Sequence, residues 1–127
     1  MAERDLTVLL RRMEPLLFPE PYGFAVWTGG MLPFAPFATV AEAEGMTVVA
    51  PLAALTAIGI VSEGWARISL TVQSDLAAVG LTAAFAAALT EAGISCNVIA
   101  GYHHDHLFVP WDLGPRALAV LEALGRA

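Results

Sequence analysis

Residues 65–72 limit most narrowly what this chain can fold into: Ala66, Ile68, Leu70 and Val72 alternate with Trp65, Arg67, Ser69 and Thr71. A period of two with one apolar side is the signature of a strand buried on one face, and such strands favour an antiparallel sheet. The period then becomes helical. From Leu76 or Val79 to Ala92, the residues Leu81, Phe85, Ala88, Leu89 and Ala92 form one stripe, and Gly93 stops it. Ser95–Tyr102 and His106–Val109 read as two strands joined by a tight turn. A last helix runs from Asp112 or Gly114 to Leu124, with Pro115 in its first turn and Leu118, Leu121 and Leu124 facing inward. Strand, helix, strand, strand, helix is five-sixths of a ferredoxin-like unit, whose final strand would have to follow residue 127. An uncovered sheet edge is a pairing hazard, so a strand from the first half is expected to complete the sheet.

The first half is less regular. Glu3–Met13 predicts a helix, with Leu6, Leu9, Leu10 and Met13 at helical spacing and Pro15 after it; Pro19 and Pro21 close that segment. Tyr22–Thr28 predicts a strand, Gly29–Pro36 a loop, Met46–Ala50 a short strand and Pro51–Gly59 a helix. This half lacks an opening strand in its turn. The expected architecture is therefore α+β: two interleaved, incomplete ferredoxin-like halves with antiparallel strands, residues 1–63 and 64–127, with Gly64 at the hinge.

Composition excludes several function classes. Apolar residues make up 57% of the 127, which raises the question of a membrane span. The longest uncharged run, Pro21–Ala41, is broken by Gly23, Gly29, Gly30, Pro33 and Pro36, and the next, Met46–Ser62, by Pro51 and Gly59. Glu3, Arg4 and Asp5 ahead of Leu6 do not resemble the basic start of a signal peptide. With Cys96 as the single cysteine, no internal disulfide can form, and a cytoplasmic location is expected. A formal charge of −6 without any Lys/Arg cluster argues against nucleic acid. The apolar surplus leads to the expectation of a homo-oligomer.

The stretch WARISLTVQSDLAAVGLTAAFAAALTEAGISCNVIAGYHHDHLFVP resembles an ACT domain, with a strand, a glycine-containing loop into a helix, and two paired strands. EAEGMTVV (Glu42–Val49), SDLAAVGLTAAF (Ser74–Phe85) and SCNVIAGYHHDHLFVP (Ser95–Pro110) are similar to segments of the small stand-alone ACT proteins. The resemblance covers roughly residues 5–125 and implies an ACT fold. The wider group includes regulatory parts of aspartate kinases and binds amino acids or similar small molecules at domain interfaces. A regulatory module with no catalytic site and no cofactor is thereby implied.

The residues themselves point to the same region. A strand ending in Gln73, Ser74 and Asp75 that leads through Gly80 into a helix exposes amides at the helix start, where a carboxylate can sit. Val79, Gly80, Leu81 and Thr82 would supply that start, with Asp75, Glu42 or Glu44 holding an ammonium group. Alternatively Ser74 or Asp75 caps the helix, Gly80 allows tight packing, and Glu42 and Glu44 are solvated carboxylates before a turn. Asn97 either contacts ligand or satisfies a neighbouring backbone group. His103, His104, Asp105 and His106 are metal-ligand types, and on a strand His104 and His106 would share a face. Beside a hairpin turn, however, at most two of them converge, so no bound metal is expected; a structural or ligand-facing role, as for His104, is implied by the resemblance. Three functions follow in order: an amino-acid sensor, a structural module that pairs with another protein, and a metal-dependent enzyme.

Overall fold

The computed structural model describes residues 2–127. In chain order the elements are α1 (Leu6–Arg11), β1 (Pro15–Leu17), β2 (Tyr22–Trp27), β3 (Ala38–Glu42), β4 (Gly45–Pro51), α2 (Leu52–Ala57), β5 (Trp65–Leu70), α3 (Leu81–Glu91), β6 (Asn97–Ala100), β7 (Asp105–Pro110) and α4 (Gly114–Arg126). They form two compact units, one made of the residues up to Pro19 with Ala66–Ala127, the other of Glu20–Trp65.

In the first unit the strand order is β1, β5, β7, β6. β7 lies between β5 and β6, which are linked through α3, so this is the split βαβ arrangement expected from the element order. The missing last strand is β1. It pairs antiparallel with β5 through Pro15↔Leu70, Leu16↔Ser69 and Leu17↔Ile68, and the Phe18 amide donates to the Arg67 carbonyl at 2.9 Å. The sequence had suggested only a chain closed off by prolines here. Three residues are too few to display a period, and the strand exists because β5 offers an edge to pair with. Between α1 and β1 the chain turns at Glu14, whose φ of 43° is uncommon for a residue with a side chain. Thr71 holds that turn from both sides: its amide donates to the Met13 carbonyl at 3.1 Å and its Oγ1 to the Glu14 carbonyl at 3.0 Å.

The alternation in β5 does what it predicted. Ala66, Ile68 and Leu70 are buried with Leu107 and Val109 of β7, and the helices cover that face with Leu9, Leu81, Phe85, Leu89, Ala117 and Leu121. Burying each large side chain contributes about 1.5–3 kcal/mol. Met13 also joins this core, although α1 is only six residues long and ends before it. Asp5 caps α1, its carboxylate accepting from the Val8 amide at 3.1 Å, so the helix starts later than the predicted Glu3. α3 likewise starts later than predicted, at Leu81, because residues 75–78 form a turn of their own, with the Ala78 amide donating to the Asp75 carbonyl.

In the second unit β4 pairs with β2 on one side and β3 on the other, both antiparallel. Val48, Ala50 and Leu55 form its core, with Trp27, Leu32, Phe34 and Ile60 packed around them. β3 was not anticipated from the sequence. Its residues are mostly exposed, so no buried face marked it; the register with β4, from Ala38↔Val49 to Glu42↔Gly45, makes it a strand. No helix among the described residues is long and apolar enough to cross a membrane.

Candidate functional site

The end of β5 and the start of α3 bound a cavity of about 160 Å³, lined by Ser74, Asp75, Leu76, Ala78, Gly80, Leu81, Thr82, Ala100 and Asp105. Five residues singled out in the sequence thus share one wall system: Ser74, Asp75, Gly80, Leu81 and Thr82. Gly80 makes the helix start possible. It sits in the left-handed region with φ 101°, and a Cβ there would lie 3.0 Å from Leu6 Cδ2. No side chain caps α3. Its internal ladder begins with the Ala84 amide on the Gly80 carbonyl, so the amides of Leu81, Thr82 and Ala83 have no acceptor within the helix.

Asp75 is engaged elsewhere. Its Oδ1 accepts from the Ala77 amide at 2.7 Å and its Oδ2 lies 3.2 Å from Arg4 Nε. The Ala77 amide, with Arg4 second, holds this carboxyl below its usual range. The N-terminal segment straps the same loop, since the Glu3 amide donates to the Gln73 carbonyl and the Asp75 amide to the Glu3 carbonyl, each at 2.9 Å. The Ser74 amide in turn donates to the His103 carbonyl at 3.2 Å, tying the loop to the β6–β7 hairpin.

The sequence did not single out Asp105 as a member of this cavity. It is 9% exposed, and burial raises its carboxyl above the ordinary aspartate range, partly offset by a hydrogen bond to Ser74 and the charge of His104. The folded protein therefore disfavours the ionised form. Its contribution to stability is fully present below the unfolded-state value and is lost as pH rises through the raised folded value. Asp105→Asn keeps the shape and removes the charge, so the variant is expected to melt higher than the parent at pH 7 and at the same temperature at about pH 3. Paired thermal melts at the two pH values read this out, and a lower melting temperature at pH 7 contradicts it.

The remaining predicted residues lie outside the cavity lining. Val79 is 83% exposed, Asn97 is exposed on β6, and Glu44 belongs to the β3–β4 turn of the second unit. β7 begins at Asp105, so His104 lies in the turn, and the two imidazoles do not share a strand face as expected. His104 Nδ1 donates to the Val72 carbonyl at 3.2 Å, while His106 Nδ1 is 2.7 Å from Ser69 Oγ. Arg67 Nε donates to the same Ser69 oxygen at 3.0 Å, so Ser69 is held between the guanidinium and the imidazole. Burial, then Arg67 and His104, pushes His106 down to about 4, which makes it a poor base at neutral pH. A cation stands beside it where a Ser–His nucleophile pair would have a carboxylate. Among the described residues no group of three metal-ligand side chains converges.

A larger cavity of about 390 Å³ lies at the other end of β5, between Leu17, Phe18, Pro19, Ala66, Trp111 and Pro115. Its one ionisable lining residue is Asp112. Sites for polar metabolites need several convergent polar groups, and these are found at the Gly80 cavity.

A split βαβ sheet with its helices packed on one face defines the ferredoxin-like class of α+β proteins. Within that class, the ACT domain matches at residues 1–67 and again at 60–123. The chain belongs to the ACT-domain family. A protein of unknown function from Vibrio cholerae, described as a possible transport protein, is 45% identical over 91% of this chain and 92% of its own, with a TM-score of 0.82. The ligand-free regulatory subunit of aspartate kinase from Thermus thermophilus shares the fold at 12% identity, covering 87% of this chain and 95% of that one with a TM-score of 0.62. A protein from Agobacterium tumefaciens does so at 16% identity, covering 84% of each chain with a TM-score of 0.66. No curated protein sequence matches.

Proposed function

We propose that this protein is a non-catalytic regulatory module that binds an amino acid in the cavity between Gly80 and Asp105. One observation carries the proposal: a helix start with uncapped amides opens on a small cavity that also contains a buried carboxylate, so groups for both ends of a zwitterion line one space. Membership of the ACT-domain family and the fold shared with aspartate kinase regulatory subunits support the regulatory role. Ser74, Leu81 and Thr82 line the site with Asp75, whose ion pair with Arg4 braces the loop. The acidic charge and single cysteine support a cytoplasmic protein that does not bind nucleic acid.

A second function, a structural module that pairs with protein and binds nothing small, has its own observation. Leu76, Val79 and Tyr102 are large, apolar or aromatic and well exposed on the two loops beside the cavity. Surfaces of this kind mediate association, including between copies of one chain. A thermal-shift screen of the twenty amino acids and common metabolites separates the two. A ligand at one hundred times its Kd stabilises the native state by about 2.7 kcal/mol, a clear upward shift in melting temperature for a domain of this size. At least one amino acid is expected to give such a shift. A screen without any shift at millimolar concentrations favours the interaction module.

A further inference from the structure

We infer that the cavity beside Trp111 is a second small-molecule site, separate from the one at Gly80, and that it takes an organic amine carried on a flat apolar body. The two cavities lie in the same unit and share no lining residue. Their chemistry differs. The cavity beside Trp111 has an apolar and aromatic lining with a single charged group, and pockets built in this way bind organic molecules whose few polar atoms fix their orientation.

The walls hold the space open. At the inner end the start of α4 lies close against β5 and β1, where a Cβ on Gly114 would stand 2.9 Å from the Ala66 Cβ and 3.4 Å from Leu17 Cδ1. Glycine and alanine at these two positions bring no bulk that could fill the cavity they line. Leu17 is fixed by the pairing of β1 with β5, and the Arg67 guanidinium lies 3.9 Å from the centroid of the Phe18 ring, a cation–π contact that keeps the ring in place. Walls of this kind cost a ligand little reorganisation. At the solvent side stand Trp111, 41% exposed, and the exposed Asp112. An indole face left to water gains from being covered by a flat apolar body. Among the described residues no hydrogen bond or ion pair engages the Asp112 side chain. An ammonium group supplies the charge and the donors that this carboxylate accepts, and a cation beside an indole is attracted by the ring face as well. A ligand carboxylate would meet no cation in this lining, which sets the site apart from one for anions or zwitterions.

The test is a titration of the full-length protein, labelled with nitrogen-15, with three probes: 2-phenylethylamine, 2-phenylethanol, which keeps the skeleton without the charge, and 3-phenylpropionate, which reverses it. Shifts of the Trp111 indole N–H and the Gly114 amide report the site. In the parent protein the amine is expected to bind about three- to tenfold more tightly than the alcohol, and the alcohol more tightly than the acid. Asp112→Asn is expected to bring the amine to the level of the alcohol and leave the alcohol unchanged. Trp111→Ala is expected to weaken amine and alcohol at least about tenfold. Both positions are exposed, so the variants are expected to keep the parent's amide dispersion, and the comparison of the three probes in the parent needs no variant. Alcohol or acid binding as tightly as the amine, or an undiminished preference for the amine in folded Asp112→Asn, overturns the ligand class. No shift at Trp111 and Gly114 with the amine, or shifts confined to Leu81–Ala83, removes the second site and leaves the amino-acid site as it was.

Discussion

Deleting residues up to Pro19 is expected to abolish cooperative unfolding of the unit that remains. The segment supplies Leu9 and Met13, at 0% and 1% exposure, to the core shared with Phe85 and Leu121. Losing buried side chains of this kind costs about 2–5 kcal/mol each even when only truncated to alanine. The same deletion strips β1 from β5, leaving the Arg67 carbonyl without the Phe18 amide and the Thr71 amide without the Met13 carbonyl. Domains are stable by about 5–15 kcal/mol in total, so the combined loss removes most or all of the margin. Thermal melts followed by circular dichroism, together with amide dispersion, measure the outcome. A point-mutant version, Leu9→Ala with Met13→Ala, is expected to lower stability strongly, whereas Leu16→Ala, at a half-exposed position, should stay within about 0.5 kcal/mol. A truncated chain that still melts cooperatively with dispersed amides would show that β1 is dispensable.

Gly80→Val is expected to eliminate amino-acid binding and destabilise the fold at once. At φ 101° a β-branched residue is strained by about 1–3 kcal/mol, and its Cβ meets Leu6 Cδ2 at 3.0 Å. The added methyl groups also stand beside the cavity that Gly80 lines. Strain and occlusion are separated by Gly93→Val at the other end of α3. Gly93 has φ 74° and open space around its Cβ position, so that variant carries the backbone strain alone. It is expected to melt lower than the parent yet bind amino acids unchanged. Calorimetry with an amino acid that shifts the parent's melting temperature decides the matter, and parent-like affinity in folded Gly80→Val would move the site away from the start of α3.

Part of the lining of the candidate site was legible in the sequence because it depends on local chemistry. Gly80 before a helical stripe is a local signal, and it marked the loop leading into α3 although the helix was expected from Leu76 or Val79 and starts at Leu81; Ser74, Asp75, Leu81 and Thr82 lie with it on the cavity wall. Asp105 was visible too, but it stood within a run of histidines and was weighed as a metal ligand. Its spacing held a clue: Asp105, Leu107 and Val109 share a strand face, and the last two lie in the core. The spacing did not show which residue opens the strand, so His104 was taken to share a face with His106 although it lies in the turn.

By itself the sequence determined the alternating strand β5, the stripe of α3, the hairpin after it and the order of elements that requires a split βαβ sheet. These depend on periods of 2 and 3.6 residues and on glycine and proline at fixed places, all readable over a few neighbours. Only the tertiary structure decided that Pro15–Leu17 is the closing strand, that Ala38–Glu42 is a strand at all, that Asp75 is taken by Arg4 and that Asp105 is buried in the cavity. In each case the deciding partner is remote in the chain or carries no pattern of its own: Leu70 for Pro15, Arg4 for Asp75, Ser74 for Asp105. A short strand gains its hydrogen bonds, and a carboxylate its charge environment, from whatever the fold places beside it.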